Sequence, residues 1–245
     1  MGRLTASVVE VPSLGAPVTD RLYDLFTRYY GRSDRATFDR DLAEKGWVLL
    51  LSDEAGAIQG FTTIMLLETE LEGRRLRAAF SGNTIIDRSF WGEQELVRSW
   101  CRFLGELRLA APDVPLYWFL ICSGYRTYLY LPLFFETFYP RGDRPTPPFE
   151  GALIDHLGRL KFPEEYRDGV VRVREPRECL RPDLAVPLPR KLENPHIRFF
   201  FERNPGSARG DELVCVTRID PDNMKRLARS AVLEAGRAHA EVPAG

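Results

Sequence analysis

Apolar residues first fall into step at Leu22, Leu25, Phe26 and Tyr29, the i, i+3, i+4, i+7 spacing that lays one stripe along a helix. Thr19 is placed to cap it. A second helical stretch follows in DRATFDRDLAEKG, with Phe38 and Leu42 four apart, Ser33 as cap and Gly46 as stop. Two short helices are therefore expected ahead of a sheet. At Trp47 the period shortens to that of strands. WVLLL, AIQGFTTIMLL and LRAAFSGNTII, separated by the polar stretches SDEAG and ETELEGRR, predict a three-stranded antiparallel meander. The helical period returns in EQELVRSWCRFLGEL, where Leu96, Trp100, Phe103, Leu104 and Leu107 share a face. PLYWFLI then reads as a strand, and a helix shortened by Pro132 is expected from about Tyr125 to Tyr139.

The later pattern is looser. A helix is expected from roughly Pro148, a short strand in DGVVRVR, and an extended connector from Pro176 to Pro195, where five prolines fall. Asn194-Pro195 opens another helix, DELVCVTRI is strand-like, and a last helix sets Met224, Leu227, Ala231 and Ala235 in line. The fold class expected is α+β: a mixed, mainly antiparallel central sheet flanked by helices. Residues 1–175 form the expected core, and 176–245 a Pro-rich connector and C-terminal α/β extension packing on it.

Composition narrows the function. Lys+Arg 34 against Asp+Glu 35 leaves a net charge of -1, so no global field draws the chain to nucleic acid or an anionic membrane. Cys101, Cys122, Cys179 and Cys215 are far apart, and His156, His196 and His239 are too few to complete a metal shell, so no metal is expected. Leu116 to Tyr139 is rich in aromatic residues, but Ser123, Gly124, Arg126, Thr127 and Pro132 interrupt it, which argues against a membrane span. MGRLTASVVEV lacks the apolar core of a signal peptide, so the expected location is cytoplasmic.

The order helix, helix, three antiparallel strands, helix, strand, helix resembles the GNAT superfamily of acyl-CoA N-acyltransferases over about residues 5 to 140. In that family a Gly-rich turn after the fourth strand holds a pyrophosphate with its amides. The same place here reads Asp87-Arg88-Ser89-Phe90-Trp91-Gly92-Glu93-Gln94. The resemblance implies an acyl thioester donor, acyl-CoA or acyl-phosphopantetheine, at Arg88, Trp91, Gly92 and Gln94. It also implies a small-molecule or peptide amine acceptor. Only Gly92 remains of the family's glycines, and Glu93 and Glu95 oppose an anion at the same amides. A single phosphodiester asks less of such a turn. That points to the branch that takes its donor from an acyl carrier protein, as N-acyl amino acid synthases and acyl-homoserine-lactone synthases do. A catalytically degenerate binding or scaffold domain is the alternative.

The resemblance also implies a gap between the fourth and fifth strands, where Asn83, Thr84, Ile85 and Ile86 would grip a pantetheine arm as a missing strand would. Ser81-Gly82-Asn83 is unusual inside a strand and predicts a bulge, which either bends the sheet or turns an amide toward a thioester carbonyl. Ser81 and Asn83 are then substrate contacts. Glu68 and Glu70, two apart, either serve as base or sit in a solvated hairpin turn. Tyr130 is the expected acid for the leaving thiolate, with Tyr128 as rival. Tyr125, Arg126 and Tyr128 are expected on the substrate side. The aromatic run is either ordinary core or the lining of a tunnel for a medium or long acyl chain.

Overall fold

A computed structural model describes residues 3–173 and 179–240. Its centre is an eight-stranded sheet. Its strands are β1 (Thr5–Glu10), β2 (Trp47–Ser52), β3 (Ile58–Leu71), β4 (Arg74–Ile86), β5 (Leu116–Cys122), β6 (Tyr166–Arg167), β7 (Val170–Val171) and β8 (Glu212–Arg218). The spatial order is β1-β2-β3-β4-β5-β8-β7-β6. Every pairing is antiparallel except β4 with β5. The fold class is thus the mixed α+β arrangement expected.

Alternation along the strands assigns the helices to faces. Leu49, Leu51, Ala79, Trp118, Leu120 and Cys215 point toward α3 (Glu95–Leu109), joined there by a long C-terminal helix, Arg226–Ala240. On the opposite face, Val48, Leu50 and Phe61 meet α1 (Ala16–Tyr29) and α2 (Arg35–Ala43). Further along that face Ala78, Phe80, Phe119 and Val214 meet another helix, Pro148–Lys161. The apolar stripes expected on α1 and α3 are buried as drawn. Most of the aromatic run is core on both faces, including Trp118, Phe119, Phe135 and Phe138.

Several boundaries differ from expectation. A strand, β1, precedes the two helices and pairs with β2. Helix α1 starts after Gly15 with Pro17 in its first turn, so Thr19 lies inside it. Asp34, not Ser33, caps α2, its carboxylate accepting from the Thr37 amide at 2.9 Å. That helix ends at Glu44 in ordinary right-handed geometry, without the left-handed glycine expected at Gly46. ETELEGRR is mostly strand: β3 and β4 join through Glu72 and Gly73 alone, at φ 51° and 73°. The expected 125–139 helix is interrupted at Leu129 into α4 (Tyr125–Tyr128) and α5 (Tyr130–Phe134), with Pro132 inside α5. β8, from the segment after residue 176, lies inside the sheet between β5 and β7. Within the proline-rich connector, Cys179–Leu180 pairs with Tyr30–Gly31; residues 174–178 lie outside the described chain.

Candidate active site

The functional geometry begins where two strands part. β4 and β5 are paired from Arg77↔Leu116 to Ser81↔Leu120 and no further. Beyond that point β4 runs on to Ile86 against β3, while Ile121 and Cys122 of β5 pair only with β8. The cause is visible in the β3–β4 register. Phe61 faces Ile85 but Thr63 faces Gly82, so β4 carries one extra residue, and Asn83 takes φ 43°. This is the expected bulge at Ser81-Gly82-Asn83. A bulge bends its strand and sharpens the local twist, and here the bend turns β4 away from β5.

A cavity of about 590 Å³ opens in the gap. Leu96, Val97, Trp100 and Cys101 of α3, with Tyr130, Phe134 and Phe135, line it on one face of the sheet. Thr37, Arg40 and Asp41 of α2, with Phe80 and Phe162, line it on the other. Because α2 and α3 pack on opposite faces, the cavity passes through the sheet. Ser123 of the β5 exit and Glu212 of β8 border it and are hydrogen-bonded to each other.

Four expected site residues meet there: Ser81, Asn83, Thr84 and Tyr130. Ser81 is buried, its hydroxyl accepting from the Trp118 indole at 2.7 Å. The Thr84 hydroxyl lies 2.8 Å from that of Thr62. Tyr130 stacks on Phe134, and burial pushes its phenol up, so it stays protonated at neutral pH. Asn83 donates to the Asp41 carboxylate at 2.8 Å, and the other oxygen of that carboxylate receives Lys45 Nζ at 2.6 Å. The Lys45 side chain is fully enclosed, and desolvation lowers its pKa.

Other expected residues lie away from the cavity. Glu68 and Glu70 face Arg77 and Arg75 across the hairpin and are exposed. From Ile64, opposite Ser81, to Glu68 is about 13 Å at ~3.3 Å per strand residue. Neither lines this cavity. Tyr128 is fully buried among Phe138, Phe199 and Phe200, its hydroxyl donating to the Pro140 carbonyl at 2.9 Å. Tyr125 is also core. Ile85 turns toward α1 and α2 rather than into the gap. Asp41 and Lys45 do not stand out in the sequence; their only signal there is an i, i+4 spacing, common on solvated helices.

The turn after β4 is self-contained. The Arg88 amide donates to Tyr29 Oη at 2.8 Å, and the Ser89 amide to the Asp87 carboxylate at 3.1 Å. The amides of Phe90, Trp91 and Glu93 donate to carbonyls of Asp87, Arg88 and Phe90. Trp91 Nε1 donates to the Ile86 carbonyl at 2.9 Å, and the Arg88 and Arg126 guanidiniums lie over its ring, 5.6 and 4.8 Å from the centroid. Gly92 takes φ 101° and, with Gln94, lines a smaller depression at the start of α3. Arg3, Arg98, Glu93 and Glu95 surround it, so its charges oppose one another. Among the described residues, no cluster of three or more His, Cys, Asp or Glu could hold a metal, and no helix is long and apolar enough to cross a membrane.

No family model matches the chain, and no curated protein does. Solved structures do. A protein of Enterococcus faecalis V583 described as a probable N-acyltransferase is 15% identical over 57% of this chain and 37% of its own, with a TM-score of 0.41. This chain therefore spans little more than a third of that protein. Glucosamine-6-phosphate N-acetyltransferase of Arabidopsis thaliana is 18% identical over 51% of this chain and 88% of its own, at 0.37. An acetyltransferase of Trypanosoma brucei is 15% identical over 59% and 99%, at 0.39. At such identities and scores the likeness carries no argument about activity, and the site must speak through its own geometry.

Proposed function

We propose that the chain is an N-acyltransferase that moves an acyl group from a phosphopantetheine-type thioester to an amine. The observation that carries this reading is the parting of β4 and β5 beyond Ser81 and Leu120, with a through-sheet cavity in the gap. An extended arm laid there would meet main-chain groups of residues 82–86 that β5 leaves unpaired. Its acyl end would lie among Leu96, Val97, Trp100 and Phe134. Such a lining suits a medium or long chain, each buried methylene contributing about 0.8 kcal/mol.

The acceptor would approach from the α2 face, where Asp41 takes the part expected of Glu68 and Glu70. The neutral amine attacks the thioester carbonyl, and an amide of the bulge at Gly82 or Asn83 stabilises the oxyanion. As the intermediate collapses, the C–S bond breaks and Tyr130 protonates the thiolate; the ammonium proton passes to Asp41 directly or through water. The donor is acyl-CoA or a carrier-protein thioester, and the acceptor a small molecule or peptide. The self-contained turn favours one further reading, a domain that binds acyl thioesters without turning them over.

Isothermal titration with acetyl-, hexanoyl- and decanoyl-CoA tests the site. Affinity should rise with each longer chain, and incubation with primary amines should release free thiol. Binding without thiol release would favour the non-catalytic domain. No binding by any of the three, nor by an acylated carrier protein, would remove the thioester reading.

A further inference from the structure

The turn that should cradle phosphate has little to offer it. Amides of Arg88, Ser89, Phe90, Trp91 and Glu93 already have partners. Glu93 and Glu95 stand at the start of α3. A donor phosphate held by the amides of Arg88 to Trp91 would have to displace those bonds, and one held at the start of α3 would meet Glu93 and Glu95.

Side chains provide another route. Trp91 follows β4 and is tied to it by the indole bond to the Ile86 carbonyl. Arg126 follows β5, in α4, and crosses the mouth of the gap to lie 4.8 Å from the Trp91 ring centroid. The two parted strands are thus bridged again at their ends by one cation–π contact. Arg88 lies over the same ring from the turn. Arg126 is exposed and forms no ion pair with a carboxylate among the described residues. A guanidinium held over an aromatic ring by a cation–π contact still has N–H donors to offer an oxyanion. Ser81 and Ile86 lie opposite Ile64 and Gly60 of β3, so the gap edge of β4 spans about 13 Å at ~3.3 Å per residue, along which an extended arm could run toward the turn.

We infer that Arg126, oriented on Trp91 and assisted by Arg88, forms the donor's phosphate site and reads the single phosphate that CoA and a carrier-bound arm have in common. Arg126, expected among the substrate-binding residues, is thereby assigned to the donor's phosphate. This inference rests on the thioester reading. It makes the site selective for the first phosphate of the arm and indifferent to what lies beyond it.

The test compares pantetheine, phosphopantetheine, CoA and a holo acyl carrier protein by calorimetry on wild type and R126Q. Wild type should bind phosphopantetheine about tenfold or more tighter than pantetheine, the worth of one charge-assisted contact. R126Q should lose that preference, keep its pantetheine affinity, and weaken whichever of CoA and the carrier protein wild type binds. R126K, which keeps the charge but not the planar fork, should recover only part of the preference. Because Arg126 is exposed and gives up only cation–π contacts, R126Q should lower the unfolding midpoint by no more than a few degrees. Equal binding of pantetheine and phosphopantetheine by wild type overturns the phosphate site and leaves the thioester reading standing. A full preference retained in R126Q removes Arg126 from it. Failure of wild type to bind pantetheine in any form overturns both.

Discussion

Lys45 shows what a single residue can conceal from a sequence. In DLAEKG it reads as a solvated lysine at a helix end, yet its ammonium is enclosed between α2 and β4, held by the Asp41 carboxylate and the Asp41 carbonyl at 2.9 Å. The enclosure comes from contacts far along the chain: Gly82 lies against the Lys45 stem, and Lys45 Nζ sits 5.7 Å from the Phe80 ring centroid. Desolvation lowers its pKa from 10.5. Below the folded value both states hold the proton, and the desolvation cost is present in full. Between the folded value and the unfolded value near 10.5, the unfolded chain binds a proton that the folded chain lacks, so stability rises with pH. Wild type should therefore gain stability over Lys45→Met in urea unfolding as the pH climbs from neutrality toward 10.5. A difference independent of pH would show that Lys45 titrates normally. Ser81 and Asn83 were legible for the opposite reason: Gly, Ser and Asn pack poorly inside a strand, and three in a row there point to a bulge.

Elements were legible where their pattern was local. The stripes of α1 and α3 need only their own residues, and both are buried as the spacing requires. β1 was not, because an edge strand with an exposed side follows no simple alternation; Ser7, Val8 and Glu10 are exposed. The β3–β4 hairpin misled because a run of mostly polar residues resembles a loop. The unbroken backbone ladder from Ile64↔Ser81 to Leu71↔Arg74 keeps them in strand, with Glu68 opposite Arg77 and Glu70 opposite Arg75 in register. Its turn is then only two residues, both at positive φ, the geometry that matches the twist of the strands. Glu72 fits that geometry poorly and Gly73 well. Glu72→Asn should stabilise the protein by about 0.5 kcal/mol, and Gly73→Ala should cost about 1 kcal/mol, both read from chemical denaturation. If Glu72→Asn is destabilising, the turn is not of this type.

For the whole molecule, the place of residues 176–245 was the least legible feature. A sequence reports which segments are strands but not which neighbours they choose, and a short strand late in the chain looks like an appendage. β8 instead pairs with β5 from Tyr117 to Cys122, and the C-terminal helix packs so closely on α3 that a Cβ on Gly105 would meet the Val232 carbonyl at 2.5 Å. A chain cut after residue 175 should lack a cooperative unfolding transition and bind apolar dye, as expected of a sheet left with one side of β5 bare. A sharp transition in that fragment would restore the division into core and extension. The same pairing sets a timetable for synthesis. About 90 residues separate the end of β5 from the start of β8. At 5–20 residues per second the ribosome needs roughly 5–20 s to deliver them. For that interval the aromatic edge Tyr117-Trp118-Phe119 has no partner, and the nascent polypeptide depends on chaperones or on a transient substitute strand to keep it from aggregating.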